Sequence, residues 1–310
     1  MCLATATFAA AQPPASRGAA PSAAARRATA VRTSTPLTID GQLDEAAWQQ
    51  AKPMTDFVQS EPSEGQPATE RTEVRILFDD KAIYVGVMCY DSDPTRIVTS
   101  DSRRDSALSG QDSFQMILDT YHDRQNGFIF GTTPLGLQYD AQVRNEGETI
   151  RSAPTSGTGG NTGGAGGGVN VNWDGSWDVK THVGENGWTA EFIIPLRTLR
   201  YGTAPQTWGV NFSRTIERKR ESVYWSPVAR IYSVSRLSSA GELGGLNVPA
   251  PRDLKLLPYV SGSTNRNFLS SSQKKYDQTS DFGIDIKSNN RNLASKNILY
   301  RRHLHPRTIS

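Results

Sequence analysis

The stretch 112–142 carries the pattern that most restricts what this chain can fold into. Over 112–119 apolar and polar side chains alternate with a single interruption, and a period of two is typical of a strand with one buried face. The polar segment 121–127 ends in an Asn-Gly pair, which indicates a turn. The extended pattern resumes over 128–133 and again over 137–142. The sequence therefore predicts strands that fold back on one another, in a body made of β-sheet.

Further strand pairs, each with a turn between its members, follow the same rule. They are 73–78 with 83–89, 174–183 with 188–196, and 208–216 with 222–226. Both faces of 83–89 are largely apolar, so this strand is predicted to lie inside a sandwich rather than at a sheet edge. Short strands with turns at near-regular spacing are typical of sandwiches. The predicted fold class is all-β, an antiparallel, jelly-roll-like β-sandwich with disordered N- and C-terminal extensions.

The composition divides the chain into four parts. Residues 1–11 are apolar and end in three alanines without a positively charged start, which predicts a clipped signal-peptide remnant or, alternatively, an Ala-rich disordered leader. Residues 12–36, rich in Ala, Pro, Ser and Thr, predict a flexible linker. The sandwich is assigned to 37–247. Residues 248–310 are predicted to be the start of a truncated barrel region plus a disordered tail. For the tail, 288–310, the alternative is an artefact of a truncated or frame-shifted reading frame.

Charge is unevenly distributed along the chain. The formal net charge is +3, but residues 1–35 carry +4 and residues 252–310 carry +7, which leaves −8 for residues 36–251. An acidic body is a poor match for a phosphate backbone, so we set nucleic acid aside as a partner. Cys89 lies in an apolar strand and is predicted to be a small buried hydrophobe rather than a reactive thiol.

Catalytic motifs are missing from the sequence. The Gly-rich stretch 157–168 fits neither the dinucleotide-binding nor the P-loop pattern and is predicted to be a mobile loop. The four histidines show no zinc-binding spacing, and no nucleophile elbow of the G-x-S-x-G type occurs. Glycoside hydrolysis needs two carboxylates that flank one bond. Acids are available for this, but no sequence pattern pairs them: Asp112, Asp119, Asp140 and Glu191.

Five segments, taken in order, resemble the family 9 carbohydrate-binding modules. They are Ile-Asp-Gly-x-Leu-Asp-Glu-x-x-Trp at 39–48, 74–80, 83–87, Gln-Asp-Ser at 111–113, and Gly-Trp-Thr-Ala-Glu-Phe-Ile-Ile-Pro at 187–195. Motifs at 199–201, 208–214, 224–227 and 257–260 also resemble an uncharacterised bacterial outer-membrane family, whose members carry such a module between a signal peptide and a predicted barrel. The resemblance implies a β-sandwich that binds sugars, in some members with structural calcium.

The resemblance is weaker at the sugar site than over the fold. The sugar-binding members hold a ring between two tryptophans, of which Trp225 matches the second. At the first position this chain has Leu108 and Ser109, neither of which offers a stacking face. The positions that supply Arg and Asn to the sugar hydroxyls match Gly131 and Thr133. The resemblance therefore supports the fold more strongly than the ligand.

A sugar site needs an aromatic platform for the apolar ring face and polar groups for the hydroxyls. Trp225 is predicted to be that platform. Trp173 and Trp177, four residues apart beside the Gly-rich loop, are candidates for the missing partner, and Asp112 is the predicted carboxylate of the site. The alternative for all three tryptophans is packing in the core or at its rim.

Acidic residues on predicted loops offer a second kind of site. They are Asp79, Asp80, Asp91, Asp93, Asp119 and Asp123. Their oxygens could gather a Ca²⁺ ion, but solvated turns would carry the same residues, so both interpretations stay open. No other cofactor is predicted.

The predicted function is non-catalytic glycan binding at the cell envelope of a Gram-negative bacterium, linked to polysaccharide use. The predicted partners are a glycan or polysaccharide and the outer membrane, reached through the missing barrel. An alternative is a structural or gating domain of an outer-membrane transporter that has lost sugar binding. A glycoside hydrolase is a weaker alternative.

Overall fold

The computed structural model describes part of the chain. The described residues are 26–148, 168–203, 206–251, 254–266, 276–288, 298–299 and 302–303. The predicted signal remnant at 1–11 and nearly all of the predicted Gly-rich loop lie outside them. Among the described residues, no helix is both long and apolar enough to cross a membrane.

Regular structure in the described residues consists of strands and single-turn 3₁₀ helices. In chain order the strands are β1 (Arg27–Thr29), β2 (Val31–Arg32), β3 (Val58–Glu61), β4 (Thr72–Phe78), β5 (Ala82–Tyr90), β6 (Ser113–Asp119), β7 (Gly127–Thr132), β8 (Tyr139–Gly147), β9 (Gly168–Asn170), β10 (Asp178–Gly184), β11 (Gly187–Pro195), β12 (Trp208–Ile216), β13 (Glu221–Tyr224), β14 (Gly241–Gly244), β15 (Leu254–Arg266), β16 (Tyr276–Ser288), β17 (Ile298–Leu299) and β18 (Arg302–His303). The 3₁₀ helices are Trp48–Gln50, Pro94–Arg96, Leu196–Thr198, Glu217–Lys219 and Leu237–Ser239. This content confirms the predicted all-β class.

The larger of two packed sheets is built around the stretch that dominates the sequence pattern. Its strand order is β1-β14-β12-β6-β7-β8-β9, and β13 pairs with both β12 and β3. The strands β6, β7 and β8 are antiparallel neighbours, which confirms the strand pairing predicted for 112–142. The predicted pairing of β12 with β13 is also confirmed.

The smaller sheet has the order β10-β11-β5-β4-β2. Strand β5 pairs with β11 on one side and β4 on the other, which confirms that the strand with two apolar faces lies inside the sheet. The hairpin predicted for 174–196 is present as β10 and β11.

The inward faces of the two sheets enclose one hydrophobic core. Phe114 of β6 lies 6.0 Å from Phe192 of β11 and 5.9 Å from Phe212 of β12, measured between ring centroids. Cys89 is a free, buried thiol of this core, as predicted, and burial raises its pKa to about 11. A thiol in this setting is protonated and unreactive at neutral pH.

The N-terminal stretch corrects one prediction. Strand β1 pairs in parallel with β14 of the large sheet, and β2 pairs in parallel with β4 of the small sheet. The flexible linker predicted for 12–36 is therefore wrong for Arg27 to Arg32, while residues 12–25 lie outside the described part. Backbone groups can pair with a free sheet edge whatever the side-chain pattern, so alternation did not reveal these strands.

A third sheet follows the sandwich. Strands β15 and β16 form an antiparallel hairpin in continuous register, and the short strands β17 and β18 pair with β16. Val260 and Phe282 lie directly opposite each other across this hairpin, and both side chains are exposed. The hairpin therefore presents an apolar pair to its surroundings.

The outer face of the small sheet is covered by residues 37–51, which we call the strap. Trp48 and Ala47 of the strap are buried against Leu77 of β4. Strand β5 has a glycine here because a Cβ atom on Gly86 would lie 2.9 Å from the ring of Trp48. The strap thus buries a large aromatic ring outside the main core.

One buried carboxylate fastens the strap. Glu191 of β11 accepts hydrogen bonds from the backbone N–H groups of Asp40 (2.9 Å) and Gly41 (2.8 Å) and from Nε1 of Trp48 (3.0 Å). The side chain is fully buried, and burial raises its pKa to about 7 despite these donors, with nearby Glu45 acting in the same direction. The cost of burying this charge is therefore greatest at alkaline pH.

The raised pKa of Glu191 predicts a pH-dependent stability. The folded-state pKa of about 7 lies above the ordinary value of 4.5, so this contribution is fully present below pH 4.5 and is lost as pH rises through 7. We expect the free energy of unfolding to fall by up to about 3 kcal/mol across that window. Urea unfolding at several pH values measures it. The Glu191→Gln variant has no titrating group there, and a variant with the same pH profile as the wild type would contradict the assignment.

Candidate functional site

The structure places Trp225 in the core. Its side chain is 3% exposed and packs 5.7 Å from Phe212, between ring centroids. A Cβ atom on Gly241 would lie 2.6 Å from the same indole. In this position Trp225 presents no face to a sugar, contrary to the platform role predicted for it.

The two other predicted tryptophans lie at one margin of the core. Trp177 is buried, stacks on Phe192 at 5.8 Å, and donates from Nε1 to Oδ2 of Asp140 at 2.6 Å. Trp173 is half-buried, with its ring 5.0 Å from Phe128. This packing matches the alternative interpretation, and only Trp173 keeps part of its surface open.

Asp112 is enclosed rather than open to a ligand. Its Oδ2 atom accepts the backbone N–H of Val98 at 2.6 Å, while Oδ1 has no hydrogen-bond partner. Burial raises the pKa of this carboxyl group. With about 1% of its surface exposed, Asp112 does not offer the rim carboxylate that the sequence predicted.

The positions that match the family's sugar-binding residues lie close together in the structure. Leu108 lies over Gly131 of β7, where an added Cβ atom would be 2.8 Å from Leu108 Cδ1 and 3.1 Å from the Gln115 side chain. Ser109 is exposed beside it, and Thr133 is buried with an unpartnered Oγ1. These contacts lie on the outer face of the large sheet, the side opposite to Trp225.

Strand register aligns four polar side chains on this outer face. Direct partners across strands connect Tyr139 to Gly131, Gly131 to Gln115, Gln115 to Ser213, and Ser213 to Tyr224. Direct partners point to the same face, so these residues form one row across five strands. We call Tyr139, Gln115, Ser213 and Tyr224 the outer-face row.

The polar groups of the outer-face row have no hydrogen-bond partners in the part of the chain that the structure describes. Among the described residues, none of the four side chains makes a hydrogen bond. Gln115 and Tyr139 are partly exposed, while Ser213 and Tyr224 lie deeper. Burial raises the pKa of both tyrosine hydroxyls, which therefore stay protonated donors. Such a row can exchange hydrogen bonds with a ligand.

The outer-face row was not predicted from the sequence, because the aromatic residue predicted for the site was Trp225 and not its neighbour Tyr224. Trp225 and Tyr224 are adjacent, and adjacent residues of an extended chain point to opposite faces. Tyr224 packs with Val228 and Val234 outside the large sheet, while Trp225 packs inside it. The signal that could have found it was the alternation of 208–216, paired with 222–226 in the correct register.

A network centred on Arg104 fixes the loop that carries Leu108. Its Nη2 atom donates to Oδ2 of Asp140 at 2.7 Å and to Asp174, and its Nη1 atom donates to Oε1 of Gln138 at 2.9 Å. The loop is therefore joined to the start of β8 and to the segment that precedes β10. On the other side of the row, Arg230 pairs with Glu61 at 2.9 Å.

The predicted calcium ligands are used within the protein. Asp119 accepts backbone N–H groups of Asp123 and Arg124, and Asp79 does the same for Lys81 and Ala82. In the part of the chain that the structure describes, no group of three or more His, Cys, Asp or Glu side chains is arranged to hold a metal ion.

Replacing Trp225 by Ala tests its structural role. We expect the free energy of unfolding to fall by about 3–5 kcal/mol, because the change leaves a cavity between the sheets. Urea unfolding measures the loss. Trp173→Ala, at a half-buried ring, is the matched control and is expected to lose less. A stable Trp225→Ala protein that no longer binds glycans would restore the platform role.

Replacing Arg104 by Ala tests the loop network. We expect faster amide hydrogen exchange over residues 104–110, with a loss of about 1–3 kcal/mol in global stability because Asp140 loses a charged partner. Arg103→Ala is the control, since among the described residues that guanidinium pairs only with Asp101 of the same loop. Equal exchange in both variants would contradict the fixing role of Arg104.

Comparisons with known proteins bear on the fold that presents this face. Comparison with curated proteins finds no match. Two structures of a family 9 carbohydrate-binding module from Caldicellulosiruptor kristjanssonii are similar, each covering 74% of this chain. The glucose complex has 15% identity, a TM-score of 0.46 and 98% of its own chain covered. The cellotriose complex has 16% identity, a TM-score of 0.44 and 96% of its own chain covered.

A Bacteroides uniformis protein of 9% identity covers 71% of this chain and 98% of its own, with a TM-score of 0.51, and shows the shared fold. The family model described as carbohydrate family 9 binding domain-like matches residues 39–222. That match spans more than half of the chain and includes every strand of the sandwich from β3 to β12. The chain belongs to the carbohydrate family 9 binding domain-like family.

Proposed function

We propose that this protein binds a glycan without catalysis, on the outer face of the large sheet. The observation that carries the proposal is the outer-face row, whose polar groups have no partners among the described residues. Membership of a carbohydrate-binding family supports it. Sugars carry many hydroxyl groups, and unpaired amide and hydroxyl groups in register are suited to exchange hydrogen bonds with them.

The surroundings of the row supply the apolar part of such a site. Leu108 lies over Gly131, and the half-buried ring of Tyr139 lies at one end of the row, while Tyr224 at the other end is covered by Val228 and Val234. Apolar C–H faces of a sugar pack on rings and aliphatic groups, while its hydroxyls reach the amide of Gln115. Binding through this face replaces the clamp of two tryptophans with tyrosine and leucine.

Three of the four acids available for hydrolysis have other roles in this arrangement. Glu191 fastens the strap, Asp140 is bound by Trp177 and Arg104, and Asp119 closes a turn. Each is committed to the fold, which supports binding without bond cleavage.

Removing the polar groups of the row tests the proposal. We expect Gln115→Ala and Tyr139→Ala each to weaken glycan retention about tenfold, since each removes a ligand hydrogen bond or ring contact. Affinity electrophoresis through gels that contain soluble glucans, xylans or mannans measures this. The control is Tyr121→Ala, which removes a tyrosine that is 56% exposed and lies outside the row. Unchanged retention in both row variants would remove the row from the site.

The cellular setting is the second part of this proposal. We infer a role at the cell envelope of a Gram-negative bacterium, attached to the outer membrane and linked to polysaccharide use. The exposed apolar pair of Val260 and Phe282, on a hairpin beyond the sandwich, supports a membrane-associated neighbour for the C-terminal region. Fractionation of cells that express the tagged chain tests it, and a cytosolic pool alone would contradict it.

The rival function is a structural domain of an envelope protein that has lost sugar binding. Two observations favour it, namely the enclosure of Trp225 and the filling of the space over Gly131 by Leu108. Wild-type protein that is folded but retained by no glycan in the same gels would select this rival.

A further inference from the structure

One end of the sandwich holds a charged cluster that the outer-face row does not use. We call the following residues the end cluster: Glu70, Asp91, Asp112, Arg214, Arg218 and Lys219. Glu70 and Asp91 flank β4 and β5 of the small sheet, while Asp112 and Arg214 belong to the β6 and β12 side of the large sheet. The cluster therefore joins the two sheets where their hydrophobic core ends.

Arg214 lies in a cage of oxygen atoms at the centre of this cluster. Its side chain is fully buried. The Nη1 atom donates to the carbonyl of Arg71 at 3.0 Å and to Oγ1 of Thr72 at 3.2 Å, and Nη2 donates to the carbonyl of Tyr90 at 2.8 Å. Oδ2 of Asp91 is 4.0 Å from Nη2. A residue of the large sheet is thus bound to three residues of the small one.

The remaining basic residues neutralise the outer part of the cluster. Arg218 donates from Nη2 to Oε1 of Glu70 at 2.9 Å and to Asp91. Lys219 donates from Nζ to the same oxygen of Glu70 at 2.5 Å. Burial raises the pKa of Glu70, but the hydrogen bonds from Lys219 and Ser92 outweigh it and lower that pKa to about 2. The three carboxylates are balanced by three cations of the chain itself.

A calcium ion does not fit this arrangement. Carboxylates and backbone carbonyls on loops are the ligands that Ca²⁺ prefers. Here the carbonyls of Arg71 and Tyr90 are occupied by the guanidinium, and no set of three or more acidic, His or Cys side chains that could hold a metal occurs in the described residues. The structural calcium that the family resemblance implies for some members therefore does not fit the residues at this end of the sandwich.

We propose that the guanidinium of Arg214 is the cation that closes this end of the sandwich, in place of a bound metal ion. Oδ2 of Asp91 and Oδ1 of Asp112 are buried and have no hydrogen-bond partner. Their positive counterpart is Arg214, which lies between the sheets. Without it, Asp112 would lose its nearby cation and Asp91 would keep only the pair that Arg218 makes with Oδ1. Leaving a buried carboxylate without its cation is among the most costly changes in a protein interior.

Thermal melts of the full chain test this proposal. The wild type is expected to melt at the same temperature in millimolar CaCl₂ and in millimolar EDTA. Arg214→Ala is expected to melt about 10 °C lower, and millimolar guanidinium chloride, far below denaturing concentration, is expected to recover part of the loss. Arg214→Lys retains the charge but has fewer hydrogen-bond donors, so its melting temperature is expected to lie between those of the wild type and Arg214→Ala.

The matched control is Arg144→Ala, which removes an exposed cation from β8 and is expected to leave the melting temperature unchanged. A wild-type melting temperature that drops in EDTA would overturn the proposal. So would an Arg214→Ala protein as stable as the Arg144→Ala control. If Arg214→Ala does not fold, the chelator melts of the wild type and the position of Arg214→Lys still decide between a guanidinium and a metal. Neither outcome depends on glycan binding.

Discussion

Burial of apolar side chains between the two sheets determines which strand residues point into the core and which point to the outer face. The inner faces share one core, so a strand such as β6 must direct Phe114 inward and Gln115 outward. A shift of one residue would exchange the two, placing an amide in the core and a phenyl ring in solvent. The register that the core imposes therefore also determines which polar groups are available on the outer face.

Two buried ionisable side chains, Glu191 and Arg214, add polar contacts to those of the apolar core. Glu191 draws the strap onto the small sheet through donors of Gly41 and Trp48, and Arg214 joins the two sheets through carbonyls of Arg71 and Tyr90. Each of these side chains is expensive to bury without partners, and its hydrogen bonds offset part of that cost, while Nε of Arg214 stays without a partner. Such groups contribute specificity of arrangement, whereas the apolar core contributes most of the driving force.

Most of the fold could be predicted from the sequence, because strand alternation is a local signal. The pairing of β6 with β7 and β8, the internal position of β5 and the burial of Cys89 all follow from it. The strands at Arg27–Thr29 and Val31–Arg32 could not, because they are formed by backbone pairing with distant edges. The proposed outer-face row could not be predicted either, since the choice between Tyr224 and Trp225 depends on a register between strands that composition does not encode.

The loops determine which parts of the outer faces of the two sheets stay open to a ligand. Both outer faces carry apolar side chains that need cover: the strap covers the small sheet, and a segment with Val228, Val234 and Leu237 covers part of the large one. What remains open lies between that segment and the loop that carries Leu108. Arg104 and the backbone N–H of Asp105 hold this loop against the start of β8, while Leu108 and Ser109 lie beyond these contacts, so changes at those two positions can alter the open strip without removing the anchor. A family with one sandwich can therefore keep its fold while its ligand changes or is lost.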